Sequence, residues 1–432
     1  MNKVELIRKV EGLMPQSLVR AYRKSKRYLI WKNQLSSYSK ELKRLRGTKE
    51  PLNVVFLVLS SSVWKYDSVY QLMEEDKRFN PLIIVCPAID LAENQIILKM
   101  NQTYAYFANK GYNVIMACDE NRDNYVSIEL LSPDILFYAS QWDKHFDERY
   151  RSTTLQKYLK CYVNYSFKNN PFEWSIASPF QGRMWMYFSE CEDNRKLALS
   201  FNAHEFRNIH VVGYPIYDEI QVLEEKGADW KIQDKKHKRI IWAPHHSIEG
   251  HDGLIKLSTF LLYANTMKEL AMKYADNVQF AFKPHPQLKT VLYMHPKWGQ
   301  EKTDAYYEFW RSGKNTTVVD GAYADLFKSS DAMIHDCHSF VVEYLYVNKP
   351  VMFLANYDRE GQSNAVGKKA FAAHYHGVSA EDIEKFITDV VVNDKDTMQS
   401  VRNEFYQNIL VPPNGKTVAE NIIDEISKAL NI

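Results

Sequence analysis

The feature that most narrows what this chain can become is a repeated alternation of short, almost uninterrupted apolar runs with longer stretches of helical period. "PLNVVFLVLSSSVWKYDSVYQLM" opens the series at Pro51, with a strand over Val54–Leu59, a polar turn and a helix. Runs without a polar face are covered on both sides, which calls for a parallel sheet with helices above and below. "FNPLIIVCPA", "YNVIMAC", "SPDILFYAS" and "LKCYVNYSF" continue as strands two to five, and Ile209–Val212 in "IHVVGYPIYDEI" as a sixth, left through the turn Gly213-Tyr214-Pro215. A charged, helix-breaking segment, residues 224–239, reads as a linker. The pattern then restarts with "IIWAP", "VQFAFKPHP", "TTVVDG", "DAMIHDC" and "KPVMFLA", separated by helical stretches. The reading is α/β: two doubly wound domains at 51–225 and 226–432, closed by helices over 380–410 and 416–431, the last crossing back to the first domain. Neither GxGxxG nor GxxxxGK[ST] occurs, so a cleft of another kind is expected.

Composition adds an asymmetry. Residues 1–50 hold fourteen Lys/Arg against four Glu, a balance of +10, and because the whole chain carries +2 the remainder carries −8. A basic arm on an acidic body disfavours general nucleic-acid binding and favours one localised anionic partner, such as an anionic membrane surface. Leu6, Val10, Leu13, Leu18, Val19, Tyr22, Leu29, Ile30 and Trp31 interleave with basic residues as in an amphipathic helix, with Pro15 interrupting it. A solvated helix packed on its own domain fits this pattern equally well. No signal-peptide core or run of ~18 apolar residues is present. The five cysteines are scattered without a CxxC pair, which fits a reducing, cytoplasmic setting rather than a disulfide framework or thiolate zinc site.

Three motifs lie at the carboxyl ends of strands predicted in the second domain, where open α/β sheets bind ligands. They are "WAPHHS" (Trp242 to Ser247), "FKPHP" (Phe282 to Pro286) and "IHDCHSF" (Ile334 to Phe340). Flanking prolines restrict the backbone at His285, which suits a proton carrier or phosphate donor, although a histidine at a rigid turn reads the same way. At His338-Ser339 a helix begins, so free N–H groups and the Ser339 hydroxyl offer an anion site; Asp336 or Ser339 acting only as a helix cap is the alternative. The pattern of His245, His246 and His251 is not that of a helical zinc motif, and no metal is expected. His251 is expected at the surface.

The series "VVGYPIYDEI", "IIWAPHHS", "FKPHP" and "SSDAMIHDCHSFVVEYLYVNKPVMFLA" resembles, in order and spacing, the CDP-glycerol glycerophosphotransferase family of teichoic-acid and capsule polymerases. Ser330, Asp331, Asp336, Ser339, Glu343, Tyr344 and Pro350 stand in register with its most specific stretch, and the likeness runs from about Tyr162 to the C-terminus. It implies a GT-B fold of two Rossmann-like domains, a nucleotide donor in the second domain, and action at the cytoplasmic face of the membrane. It also implies that His285 contacts donor phosphate and that Asp336 and Ser339 belong to the donor-binding loop. Pro244, Ser247, Lys283, His338 and Glu343 complete the expected donor-binding set. The chain departs from the family where a WHG histidine would lie, at Asn164-Tyr165-Ser166, and where arginines would lie, at Ile216 and Ser247. His245 and His246 are expected to supply what is lost.

The resulting expectation is a transferase moving a polyol phosphate from a CDP-activated donor to a lipid-linked saccharide or growing cell-surface polymer, with release of CMP. His285, His245 and His246 are its catalytic candidates, and it needs no cofactor beyond the donor. The alternatives are a GT-B glycosyltransferase using a nucleotide sugar in capsule, lipopolysaccharide or glycan synthesis, and a non-catalytic subunit docking to membrane through residues 1–50.

Overall fold

A computed structural model describes residues 15–201, 205–234, 236–248, 258–321, 323–355 and 360–432. Contacts gather the chain into two units. The first takes in residues up to Tyr165, Phe172–Val212 and Val418–Ile432; the second takes in Ser166–Pro171 and Gly213–Thr417.

In the first unit, strands β1 (Leu52–Val58), β2 (Phe79–Val85), β3 (Val114–Met116), β4 (Ile135–Tyr138), β5 (Leu159–Val163), β6 (Met186–Ser189) and β7 (Ile209–Val211) form a parallel sheet in the order β3-β2-β1-β4-β5-β6-β7. β6 has no counterpart among the runs picked out in the sequence. Its four residues, Met-Tyr-Phe-Ser, are wholly buried, yet they are too short and mixed to stand out as an apolar run. The strand expected as the sixth is therefore the seventh.

From Gln16 the basic arm is a helix, Gln16–Leu45, with Pro15 at its N-cap, as the missing N–H of proline permits. Residues 1–14 lie outside the described part. The carboxyl half of the helix packs on the unit: Tyr38 is buried with its hydroxyl donating to the Arg183 carbonyl at 2.5 Å, Gln34 Nε2 donates to the Gln156 carbonyl at 2.6 Å, and Arg44 pairs with Asp134 at 2.6 Å. Leu18, Tyr22, Tyr28 and Leu29, nearer the start, are exposed. Among the described residues no helix is long and apolar enough to cross a membrane.

The final helix, Val418–Leu430, belongs to the first unit. It buries Ile422, Ile426 and Leu430, its Leu430 carbonyl accepts the Gly47 N–H at 2.9 Å, and Glu425 pairs with His210 at 2.5 Å.

In the second unit, β8 (Lys238–Ala243), β9 (Val278–Phe282), β10 (Thr316–Val318), β11 (Ala332–His335), β12 (Val351–Leu354) and β13 (Tyr375–Gly377) form another parallel sheet, ordered β10-β9-β8-β11-β12-β13. β13 is a second strand that the sequence did not disclose, because Tyr-His-Gly has no apolar run. Gly377 is required there by space: a Cβ would come within 2.9 Å of Leu354 and Met352 side-chain atoms. The described part of segment 224–239 is no free linker. Trp230 is buried with its indole N–H on Ser329 Oγ at 2.9 Å, and the Lys226 N–H reaches Asp325 at 2.9 Å, so the segment is folded onto the second unit.

Candidate active site

The strand order of the second sheet reverses between β8 and β11, and at such a switch point the exit loops diverge and leave a crevice. Register aligns the exits. Trp242 lies opposite Phe282, and Ala243 opposite His335, so Pro244-His245-His246, Lys283-Pro284-His285 and Asp336-Cys337-His338 leave the sheet side by side. Hydrogen bonds extend the pairing beyond the strands: Lys283 N–H to the Trp242 carbonyl at 2.8 Å and His285 N–H to the Pro244 carbonyl at 3.0 Å. Beneath the loops Trp242 is fully buried and stacks on Phe260 at 5.7 Å and Phe282 at 5.1 Å, a stiff floor for the histidines above.

Thirty-nine residues apart in sequence, His246 and His285 come together with ring centroids 4.0 Å apart; His245 lies 4.3 Å from His246 and 5.0 Å from His285. Burial first, then the neighbouring His246 and Lys283, push the His285 imidazolium down to about 4, and burial also lowers that of His246. These rings are neutral at pH 7. Backbone contacts then choose tautomers: the Ser247 N–H points at Nδ1 of His245 and the Gln287 N–H at Nδ1 of His285, each at 3.2 Å. With Nδ1 accepting, the proton of a neutral ring sits on Nε2, so His245 and His285 are hydrogen-bond donors at that atom. His246 is not pinned in this way; its Nδ1 is buried with no hydrogen-bond partner among the described residues.

One nitrogen from each ring lies within 4.8 Å of the others, a spacing from which three imidazoles could close around a metal at about 2.0–2.1 Å. A ligating histidine, however, uses one nitrogen as lone pair and donates N–H from the other. His245 and His285 have the reverse arrangement, with Nδ1 already accepting. His245 and His285 are thus set to donate to an oxyanion more readily than to hold a cation.

The remaining residues named from sequence divide into framework and rim. Asp336 is buried and turned into the protein: Oδ1 accepts the His245 N–H at 2.5 Å, and Oδ2 accepts the Thr259 N–H at 2.5 Å and its hydroxyl at 2.9 Å. It clamps the His245 loop to Thr259, at the start of the helix Phe260–Lys273. Glu343 is likewise internal, accepting from Tyr214 at 3.0 Å and Tyr323 at 2.6 Å. Lys283 is nearly buried; Nζ donates to the Gly321 carbonyl at 3.0 Å, and burial lowers its pKa. Gly321, at φ +92°, can hold that carbonyl in place because the left-handed region costs glycine little. Ser247 Oγ lies 2.8 Å from His245 Nδ1. Asn169 Nδ2 donates to the His338 carbonyl at 2.8 Å.

Ser339 is the N-cap of Phe340–Glu343, but its hydroxyl caps nothing, and four residues make too short a helix to present a strong anion site. Thr259 and Asn169 are functional supports that the sequence reading missed. Only Thr259 left a signal, as a threonine just before the helix Phe260–Lys273. His251 lies outside the described residues.

The comparisons with known proteins agree with this architecture. No curated protein matches the sequence. The solved structure of the wall teichoic acid polymerase TagF is similar over 100% of this chain and 99% of its own, at 14% identity and a TM-score of 0.56. UDP-GlcNAc 2-epimerase from Neisseria meningitidis, bound to UDP-GlcNAc, is similar over 88% of this chain and 100% of its own, at 12% identity and a TM-score of 0.55. At these identities the likeness establishes the fold, which is of the GT-B type. The family model for CDP-glycerol:poly(glycerophosphate) glycerophosphotransferase matches residues 185–428, a span that contains all three histidines and more than half of the 432 residues. The chain belongs to that glycerophosphotransferase family and is an enzyme of its type.

Proposed function

We propose that the enzyme transfers a polyol phosphate from a CDP-linked donor, CDP-glycerol or a close relative, to a hydroxyl of a lipid-linked saccharide or growing surface polymer. The observation carrying this reading is the convergence of His245, His246 and His285 at the switch point of the second sheet, with burial holding His246 and His285 neutral. Family membership and a solved TagF structure obtained from a soak with CDPG support the choice of donor.

In the reaction an acceptor oxygen attacks the distal phosphorus of the donor. A new P–O bond forms, the bond to the bridging oxygen breaks, and CMP leaves. Such chemistry is mostly positioning and charge stabilisation. His285 and His245 would donate from Nε2 to the phosphoryl oxygens, where charge builds up. His246, whose tautomer is not pinned, would take the acceptor proton. Asp336 would hold the His245 loop in place rather than touch the donor. The protein would supply these groups itself, without a cofactor beyond the donor.

The exposed Leu18, Tyr22, Tyr28 and Leu29 on the basic arm suit peripheral contact with an anionic inner membrane leaflet, where a lipid-linked acceptor would be met. The five buried cysteine thiols suit the cytoplasmic side.

The test is a thermal-shift and calorimetric titration with CMP, CDP-glycerol, CDP-ribitol, UDP-sugars and GDP-sugars, on the native protein and on His285→Ala. Cytidine-selective stabilisation that is weakened in the variant supports the reading. Selectivity for UDP- or GDP-sugars would replace it with a glycosyltransferase, and silence across the panel with a docking subunit.

A further inference from the structure

On the first unit, exposed rings form a run that the donor chemistry does not use. Phe172 and Trp174 lie parallel, with centroids 5.7 Å apart and planes 12° apart; Trp174 continues to Trp142 at 6.0 Å and 30°, and Trp142 to His145 at 6.0 Å and 18°. These centroid distances exceed the separation of two faces in contact, so each ring is displaced sideways from the next. Phe172 is 43% exposed, Trp174 56% and Trp142 39%. Single exposed aromatics are ordinary, but a contiguous tiled run is not.

The run is rimmed by polar groups. The Trp142 indole N–H donates to the Tyr165 hydroxyl at 3.2 Å, and His145 pairs with Asp90 at 3.1 Å. Its location has meaning as well: Trp142 follows β4, and Tyr165 and Trp174 follow β5, at the carboxyl edge of a parallel sheet.

We infer that Phe172, Trp174 and Trp142 form a saccharide-binding face that stacks a pyranose ring of the acceptor. A pyranose turns one set of C–H bonds, positively polarised, toward the negative face of an aromatic ring, while its hydroxyls point sideways to polar neighbours such as Tyr165 and the His145–Asp90 pair. A linear polyol phosphate has no such flat face and carries charge along its length. None of these residues is a lysine or arginine that could meet that charge, and His145 is already paired with Asp90. The rings therefore favour an acceptor ending in, or containing, a sugar ring over bare polyol phosphate. The inference rests on the proposed saccharide-bearing acceptor.

The test uses the full chain and its tryptophan fluorescence, titrated separately with the disaccharide of N-acetylglucosamine, with sn-glycerol 3-phosphate, and with phosphatidylglycerol vesicles. The same titrations are run on Trp174→Ala and Trp174→Phe. A saturable response to the disaccharide, about 10-fold weaker in the alanine variant and largely restored in the phenylalanine variant, is expected, with no response to sn-glycerol 3-phosphate. In turnover with a saccharide acceptor, Trp174→Ala should raise the acceptor KM by a similar factor while kcat changes little. Equal disaccharide binding in Trp174→Ala and the native protein would overturn the inference. So would a response confined to vesicles, which would make the rings a membrane contact. A parallel CMP titration separates the two readings: a protein that binds disaccharide but no cytidine nucleotide refutes the donor assignment and leaves the saccharide face standing.

Discussion

Asp336→Ala tests whether this aspartate is a clamp or a ligand. Its carboxylate accepts the main-chain N–H groups of His245 and Thr259 and the Thr259 hydroxyl, all in a site with 1% exposure. Alanine leaves one buried and one partly buried N–H group without that partner, at about 1–3 kcal/mol each, and removes a charge-assisted hydroxyl bond. Relief from burying a carboxylate offsets part of this, so a net loss of about 3–4 kcal/mol is expected, a large share of the roughly 5–15 kcal/mol by which a domain is stable. The assay is urea unfolding followed by a probe in the second unit, since a chain of two units need not unfold in one step.

A double-mutant cycle sharpens the test. Thr259→Val in the native background removes one bond to Asp336 and should cost about 1 kcal/mol; in the Asp336→Ala background that bond is already gone and the cost should fall to a few tenths. If Asp336→Ala unfolds within about 0.5 kcal/mol of the native protein while nucleotide affinity collapses, the clamp reasoning is wrong and Asp336 meets the donor directly.

Other consequences are open to measurement. His285→Ala should lower kcat by about 100- to 1000-fold with the melting temperature nearly unchanged, as for loss of one oxyanion donor; retained turnover would remove His285 from the mechanism. The displacement of His285 from about 6.5 to about 4 means that the unfolded ring binds a proton which the folded ring refuses, so its stability contribution is complete above about pH 6.5 and is lost as pH falls toward 4. The ceiling is about 3 kcal/mol, and solvent screening at a partly exposed ring brings it to about 1–2 kcal/mol. Urea unfolding at pH 7 and pH 5 should show the drop, and His285→Gln should lessen it; an equal drop in the variant would place the titration elsewhere. Zinc at about 10 µM should not raise the melting temperature, because Nδ1 of His245 and His285 already accepts N–H groups; a rise abolished by His245→Ala would show a metal centre instead. Trp242→Ala should destabilise the second unit by about 3–5 kcal/mol through the cavity left between Phe260 and Phe282, measured by the same unfolding assay.

Much of the molecule was legible as pattern. Strands buried on both faces must be apolar at every position, so β1, β2, β8, β9, β11 and β12 announced themselves, and the histidine motifs followed because they adjoin those runs. β6 and β13 did not, since Met-Tyr-Phe-Ser and Tyr-His-Gly become strands through their neighbours rather than their own composition. The sequence alone determined an α/β chain in two parts, a basic arm, and three histidines at strand exits in the second part.

Only the tertiary structure decided which of those residues meet and what they bond to. Strand order brings His245 and His246 against His285, because the sheet reverses between β8 and β11 and no local pattern encodes which strands become neighbours. Backbone N–H groups at Ser247 and Gln287 select the ring tautomers, and the Asp336 carboxylate is engaged by the N–H groups of His245 and Thr259. Local periodicity is written residue by residue, whereas burial, tautomer and the direction of a carboxylate depend on groups distant in the chain, and these appear only once it has folded.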